Sequence, residues 1–363
     1  MTIGKLHNNQ KFELLAQIWP GMLRADFDTY AELYDKYYLY LDDQFLSIQE
    51  KPTLYTARTL GELGDLIRRV QVSNHTKKAD IVTDQSRASY NTVDIAASMW
   101  LTIHIQHSNT QSPDCFQWPE DNTLSNALRE WLDQRIPPKR PLDDEDTRQI
   151  PLEFSIPNLI RYYEMKVIWT SDLLQHLKID WEHNQIKVYE HGICLRNHMK
   201  NPGSLPLPKE LVREAVDTLT LLFPRCRDTD DLLSKERRTI LDVPYGRSRS
   251  LALSNYHYWR RDLSELIAHW ENGPKGLSQI RLKPDHGNLM EYITFWVATL
   301  VLILTILSIA FGVASLVLAK KALDVSIRSL ELSAQSYNLA LAIACADKNA
   351  TETLPGFCNK YSH

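Results

Sequence analysis

The chain has 363 residues, and its composition of 44% hydrophobic and 24% charged residues excludes a wholly disordered chain. The net charge is −4 and no basic stretch interleaves with aromatic residues, so no nucleic-acid partner is expected. Five scattered cysteines without C-x-x-C spacing argue against a disulfide scaffold, a zinc site and a redox motif.

Residues 1–136 predict a mostly helical region that begins with a tyrosine-rich helix. Asp28 is placed to cap this helix, and three of its tyrosines share a stripe with Leu41. Such a stripe is typical of core packing, and an aromatic recognition surface is the alternative. The tyrosines are Tyr30, Tyr34 and Tyr37 in the stripe, with Tyr38 and Tyr40 beside it.

Further helices are predicted along the same region. Thr59 precedes a helix in which Leu63, Ile67 and Val70 recur at helical spacing. Residues 92–105 read as a buried helix and residues 126–136 as another, whereas the polar stretch 71–89 predicts a loop.

Residues 137–150 are proline-rich and then acidic, which predicts a linker. Beyond it, residues 151–272 alternate helix and strand, with strands at 166–170 and 185–190 and a short helix between them capped by Ser171 or Asp172. This order predicts an α+β, winged-helix-like module. The short helix carries one lysine, so DNA binding is not expected.

The remainder of this region predicts helices over 210–223 and 258–270, separated by a charged loop at 229–250. Glycines and prolines then make residues 273–291 a juxtamembrane connector. The predicted fold class is therefore α+β, a mostly helical soluble part with a small winged-helix-like mixed module, followed by one C-terminal transmembrane helix.

Residues 292–319 contain no charged residue and predict that transmembrane helix. About 20 residues cross a hydrocarbon core of about 30 Å, so the run is long enough to span with some tilt. Tyr292, Phe295 and Trp296 form an aromatic belt at one end, and Lys320 and Lys321 mark the other. The membrane bilayer is therefore the first expected partner.

The orientation is predicted from export and glycosylation signals. The N-terminal sequence lacks the apolar run of a signal peptide, which favours a cytosolic N-terminus. The count of positive charges on the two sides of the membrane run instead leans slightly toward a cytosolic C-terminus. Asn349 opens a glycosylation sequon between Cys345 and Cys358, which are a candidate disulfide. Asn74 opens a second sequon, on the other side of the membrane. We expect a cytosolic N-terminus and a lumenal or external tail, residues 346–363.

Residues 320–345 carry a heptad pattern, which predicts that the membrane helix continues into a self-associating segment. Leu323, Ile327 and Leu330 belong to its 4-3 seam, and Ser308 and Gly312 allow two backbones to approach within the bilayer. A homodimer is one interpretation. A single amphipathic helix lying on the membrane surface is the other.

The sequence predicts no catalytic residue, no metal site and no cofactor, because no phosphate-binding loop, zinc-protease motif or serine-hydrolase motif occurs in it. His104 and His107 are three residues apart, and His191 and His198 lie around Cys194. Packed histidines are preferred to metal ligands because no second ligand cluster has matching spacing. The acidic runs at 143–146 and 228–231 lack the glycine and distal glutamate of a calcium loop.

Four stretches taken together resemble a family of uncharacterised single-pass membrane proteins from filamentous fungi. They are VDIAASMWLTIHI, PNLIRYYEMKVIWTSDLLQHLKID with IKVYEH, LPKELVREAVDTLTLLFP, and YITFWVATLVLILTI, which together cover roughly residues 90–310. The resemblance implies a fungal source and a cytosolic domain anchored to a membrane. It supplies no catalytic residues, and the heptad tail departs from the family pattern.

These features predict a non-enzymatic membrane accessory protein whose soluble part binds an unidentified protein partner. By analogy alone, such a fungal protein would serve a lineage-specific trait, such as a gene cluster, incompatibility or a colony or cell-surface phenotype. The alternative is a membrane-anchored enzyme of a class without short motifs, using His104, His107 or the acidic loops.

Overall fold

The computed structural model describes residues 6–82, 84–106, 115–136, 148–201, 205–238, 249–273, 289–346 and 355–358. The chain forms two compact units, Met1–Pro284 and Asp285–His363. The predicted linker, 137–150, lies almost wholly outside the described residues, and so does most of the predicted connector, 273–291.

The first unit is mostly helical. Its helices are α1 Asn8–Ile18, α2 Arg24–Thr29, α3 Ala31–Glu50, α4 Leu60–Val72, α5 Lys78–Ile81, α6 Arg87–Leu101, α7 Leu124–Arg135, α8 Ile156–Tyr163, α9 Gly192–Lys200, α10 Lys209–Leu222, α11 Arg227–Lys235 and α12 Arg260–Glu271. Nearly all of these helices and the sheet contribute side chains to one large apolar core.

The tyrosine stripe of α3 is buried, which confirms core packing. Tyr34 and Tyr37 are 1% and 0% exposed, and Leu41 is fully buried. The Tyr37 hydroxyl donates to the Met99 carbonyl at 2.6 Å, so α3 is tied to α6 through a polar atom as well as through its rings. Asp28 does not cap α3. It lies within α2 and pairs with Arg24 at 3.0 Å.

Side-chain caps begin the helices that pack beside α3. The Thr59 hydroxyl accepts from the Glu62 amide at 3.2 Å, as predicted, and Ser86 and Thr123 cap α6 and α7 in the same way. The predicted loop at 71–89 is shorter than expected. It contains α5, where the Lys78 ammonium pairs with the Asp94 carboxylate of α6 at 2.6 Å.

A three-stranded sheet, β1 Lys166–Thr170, β2 Ile179–Asp180 and β3 Gln185–Tyr189, has the order β1-β3-β2. β1 runs parallel to β3, whereas β2 is antiparallel to it. The short helix predicted between the strands at 166–170 and 185–190 is a three-residue 3₁₀ turn, Leu173–Gln175, which Asp172 caps. A mixed α+β region is therefore present, but its winged-helix-like description is not confirmed.

The last helices of the unit are joined by buried polar contacts. Glu214 of α10 accepts the His257 and Trp259 amides at 2.7 and 2.8 Å, just before α12 begins. Arg249 donates to the carbonyls of Leu221, Leu152 and Phe154. Part of the predicted 229–250 loop is helix α11, and residues 239–248 lie outside the described ones.

The second unit is dominated by one helix, α13 Leu289–Cys345, which has 57 residues. At 1.5 Å per residue its length is about 85 Å. The predicted helical continuation of the apolar run into the heptad segment is confirmed, because α13 has no break at Ala319. A short helix, α14 Pro355–Cys358, follows.

Candidate functional site

The apolar half of α13 is the most prominent candidate site. Within the described residues this is the one helix long and apolar enough to cross a membrane; its most apolar stretch has a mean hydropathy of 2.7 and contains no buried residue. Two of its hydroxyls bond within the helix: Thr299 donates to the Phe295 carbonyl at 2.9 Å and Thr305 to the Val301 carbonyl at 2.8 Å. Such bonding satisfies polar groups that an apolar environment would leave without a partner.

The predicted self-association residues all lie exposed on α13. Leu323, Ile327 and Leu330 are 60%, 48% and 72% exposed. Gly312 has open space beyond its Cα, with no atom within 4 Å of the position a Cβ would take, and Ser308 lies one turn before it. These side chains of α13 are therefore uncovered within the described part of the chain.

The end of α13 is closed by a disulfide between Cys345 and Cys358. The bond joins α13 to α14, and Cys358 is buried. Asn349, the candidate glycosylation site inside this loop, lies outside the described residues.

Asn74, the other candidate glycosylation site, is 2% exposed. Its carbonyl accepts the Ser125 amide at 3.5 Å, so the turn that carries it packs against the start of α7. A glycan is bulky and is carried at the protein surface. The folded unit therefore leaves no room for a glycan on Asn74.

The histidines highlighted in the sequence are placed very differently from one another. His104 is exposed, and His107 lies outside the described residues. His191 and His198 are both buried, at 2% and 3% exposure, in an aromatic cluster. His198 lies against Trp19 and Trp100, with ring centroids 6.2 and 6.3 Å away.

His191 is enclosed by tyrosines. Its ring centroid is 5.8 Å from Tyr37, 5.4 Å from Tyr40 and 5.8 Å from Tyr189. Neither ring nitrogen has a hydrogen-bond partner among the described residues. Burial lowers the pKa of His191 to about 3, so the ring is neutral at physiological pH.

Four polar residues follow the carboxyl ends of the parallel strands β1 and β3, and we call them the strand-end cluster: Ser171, Asp172, Glu190 and His191. The Ser171 hydroxyl donates to Glu190 Oε1 at 3.1 Å, and the same oxygen lies 4.0 Å from His191 Nε2. In open sheets with parallel strands, ligands bind beyond the carboxyl ends of the strands.

The two carboxylates of the strand-end cluster differ in charge environment. Burial raises the pKa of Asp172 to about 6, partly offset by backbone amides such as that of Leu174, which donates at 3.0 Å. Glu190 instead forms an ion pair with Arg238, whose guanidinium lies over the Trp169 ring at 5.4 Å. A carboxyl that titrates near neutrality can accept or donate a proton, which is what general acid–base chemistry requires.

Sequence reasoning identified Asp172 only as a helix cap and did not single out Glu190. Ser171 and Glu190 lie 19 positions apart, and the parallel register in which Thr170 faces Tyr189 brings them within hydrogen-bond distance. The available signal was that Ser171 and Asp172 directly follow one predicted strand and that Glu190 ends the other.

The predicted acidic runs do not assemble into a metal site in the described part of the chain. Asp228 pairs with Arg161 at 2.9 Å, and Asp231 pairs with Arg227 at 3.8 Å. No group of three or more histidine, cysteine or acidic side chains that could hold a metal occurs among the described residues. Residues 143–146 lie outside them.

Comparison with known proteins adds no relative: no protein-family model, curated protein or solved structure matches this chain.

Proposed function

We propose that this chain is a single-pass membrane accessory protein, in which α13 anchors a protein-binding unit to a bilayer. The observation that carries the proposal is the uncharged run within α13, which no described residue of the chain covers. Each large apolar side chain that moves from water into lipid lowers the free energy by about 1.5–3 kcal/mol. The resemblance to fungal membrane proteins supports a lineage-specific trait as its context.

The proposed orientation places Met1–Pro284 in the cytosol and the tail in the lumen or outside. Burial of Asn74 supports this orientation. In a compartment where sequons are glycosylated, Asn74 would carry a glycan that the folded unit has no room to enclose. The Cys345–Cys358 disulfide supports it as well, since disulfides persist in oxidising compartments.

The test is alkaline extraction and glycosidase treatment of the full-length protein expressed in a fungal host. We expect the protein to stay in the membrane pellet and to carry a glycan that Asn349→Gln removes and Asn74→Gln leaves in place. Release into the alkaline supernatant would contradict the membrane anchor. A glycan lost only in Asn74→Gln would reverse the proposed orientation.

A membrane-anchored enzyme is the second candidate, and the strand-end cluster is the observation that favours it. Asp172, with its pKa near 6, lies at the position where open sheets bind ligands. Turnover of an ester, amide or phosphate substrate by the purified full-length protein, lost in Asp172→Asn, would favour the enzyme over the accessory protein.

A further inference from the structure

α13 carries an apolar face that runs from the membrane segment far into the heptad segment. Along its centre, residues without bulky side chains recur at steps of four and three, so they lie on one side of the helix. These residues are Ser308, Gly312, Ser315, Ala319, Ala322, Ser326, Ser329, Ser333, Ser336 and Ala340. We call this side of α13 the groove face.

Two rows of large apolar side chains border the groove face, one on each side, and their members are 60% to 72% exposed. One row is Phe311, Leu318, Val325, Leu332 and Leu339; the other is Ile309, Leu316, Leu323, Leu330 and Tyr337. Each row repeats every seven residues. The surface is therefore a shallow groove between two apolar ridges, and no described residue covers it.

Charge distinguishes the groove face from the predicted seam. At 100° per residue, Lys321, Asp324, Arg328 and Glu331 all project from the side opposite the groove face. A seam centred on Leu323, Ile327 and Leu330 would instead run beside Asp324 and Glu331 and include Lys320. In a parallel pair, Lys320 would meet its own copy within the seam, and Asp324 and Glu331 would face Ala319 and Ser326, which offer no counter-charge.

Three of the six serines of the groove face use their hydroxyl protons within the helix. Ser326 Oγ donates to the Ala322 carbonyl at 3.0 Å, Ser333 Oγ to the Ser329 carbonyl at 2.9 Å, and Ser336 Oγ to the Ser333 carbonyl at 2.9 Å. Their protons are used within the helix, so a facing backbone can approach without leaving donors unsatisfied.

The occupant of the groove face must match it in length and in depth. The stripe covers about 50 Å, beginning inside the apolar run at Ser308 and ending well beyond it at Ala340. A second copy inserted in the same orientation presents the same residues at every depth, so small residues meet small ones throughout. A strict seven-residue repeat also fits two helices wound into a left-handed supercoil.

A helix lying on the membrane surface fits less well. After Gly312 the sequence of α13 contains neither proline nor glycine, and the helix continues to Cys345 without interruption. Sharp kinks nearly always occur at such residues or at bulges. Without a bend, the heptad segment projects from the bilayer with both apolar ridges in water.

We propose that α13 forms a parallel homodimer through the groove face, Ser308 to Ala340, and not through the seam of Leu323, Ile327 and Leu330. This inference rests on the proposed membrane anchoring. It names a second copy of the chain as the partner of the helix, and it leaves the soluble unit free to bind other proteins.

The test is disulfide crosslinking of the full-length protein in membranes, after replacing Cys115 and Cys226 by serine and Cys194 by alanine. Single cysteines are then introduced in three matched pairs. They are S329C and S336C in the groove face, I327C and A334C in the predicted seam, and R328C and Q335C on the charged side. We expect several-fold more crosslinked dimer for the groove-face pair than for either other pair.

A packing variant gives an independent readout. Adding Ser333→Leu to S329C places a large side chain where two helices would touch, and overpacking of this kind weakens association roughly tenfold. We expect the crosslinked fraction to fall accordingly, whereas Gln335→Leu on the charged side leaves it unchanged. The background without an added cysteine is the control for the native Cys345–Cys358 pair.

Stronger crosslinking at I327C and A334C would overturn the groove face in favour of the predicted seam. Absence of crosslinking at all six positions, in protein that resists alkaline extraction, would overturn self-association while leaving the membrane anchor intact. Protein that alkali extracts would instead contradict the anchor itself, so the two failures are distinguishable.

Discussion

At the scale of single residues, the first unit buries an ion pair between Lys78 and Asp94. Lys78 and Asp94 are 4% and 3% exposed, and the Lys78 ammonium also donates to the Trp118 carbonyl at 3.2 Å. The rings of Tyr90 and Trp118 lie 5.7 and 5.5 Å from the same ammonium. The pair thus joins α5, α6 and the segment before α7, and each partner depends on the other to stay buried.

Replacing Asp94 by alanine should destabilise the protein by about 3–5 kcal/mol, because it leaves a buried ammonium without its counter-charge. The double variant Lys78→Met with Asp94→Leu should recover most of that loss, since no charge then remains to be desolvated. Urea unfolding of the full-length protein in detergent micelles, followed by tryptophan fluorescence, measures both.

The matched control is Asp231→Ala, which breaks an ion pair whose side chains are 93% and 71% exposed. A change below about 1 kcal/mol is expected there, because water screens exposed pairs. Equal losses for Asp94→Ala and Asp231→Ala would contradict the importance of burial.

At the scale of elements, sequence patterns succeeded where apolar residues recur on one face. The 3.6-residue period predicted α4, α10 and α12, and the apolar run predicted the buried helix α6. The patterns failed where tertiary contacts determine the helix boundaries. Helix α11 has few apolar residues and was predicted as a loop. The chain also breaks at Tyr30, between α2 and α3, whereas a cap at Asp28 was predicted. The strand-end cluster needed the parallel pairing of β1 and β3, which no local period encodes.

Glu214 gives an element-scale prediction, because its carboxylate links α10 to the start of α12. It is 6% exposed and accepts two backbone amides, those of His257 and Trp259. Glu214→Ala should cost about 3 kcal/mol, since hydrogen bonds to a charged acceptor contribute about 1.5–3 kcal/mol each. Thermal unfolding of the full-length protein in micelles measures the loss.

The matched control is Glu210→Ala, one turn earlier on α10, where the side chain is exposed. It should change stability by less than about 0.5 kcal/mol. If Glu210→Ala were as costly as Glu214→Ala, helix propensity rather than the link to α12 would explain both.

At the scale of the whole molecule, buried histidines set how stability responds to acid. Burial lowers the pKa of His176 and of His191 to about 3 and that of His198 to about 4, against about 6.5 in an unfolded chain. As pH falls below 6.5, the unfolded chain takes up a proton at each site and the folded chain does not, so the stability present at neutral pH is progressively lost. Asp172 and Asp262 oppose this, because burial raises both pKa values to about 6.

Each buried histidine should lower stability by up to about 1.4 kcal/mol per pH unit between pH 6 and 4, and the buried carboxyls, including Glu214, whose pKa burial also raises, offset part of this loss. Urea midpoints across this range measure the slope. His191→Phe should flatten it, because His191 titrates in the unfolded chain and its ring nitrogens have no hydrogen-bond partner among the described residues. His75→Gln, at an exposed site, should leave the slope unchanged, and an unaltered slope in His191→Phe would contradict the assignment.

Because α13 continues without a break, its apolar half and its heptad half share one rotational phase. Deleting a single residue near Lys320 would turn everything beyond it by about 100°, so the two halves would no longer present the groove face on the same side. Deleting seven residues would restore the alignment to within about 20°. The groove face therefore stays aligned only if the length of α13 changes by whole heptads. The amino-acid composition of the helix by itself sets no such restriction.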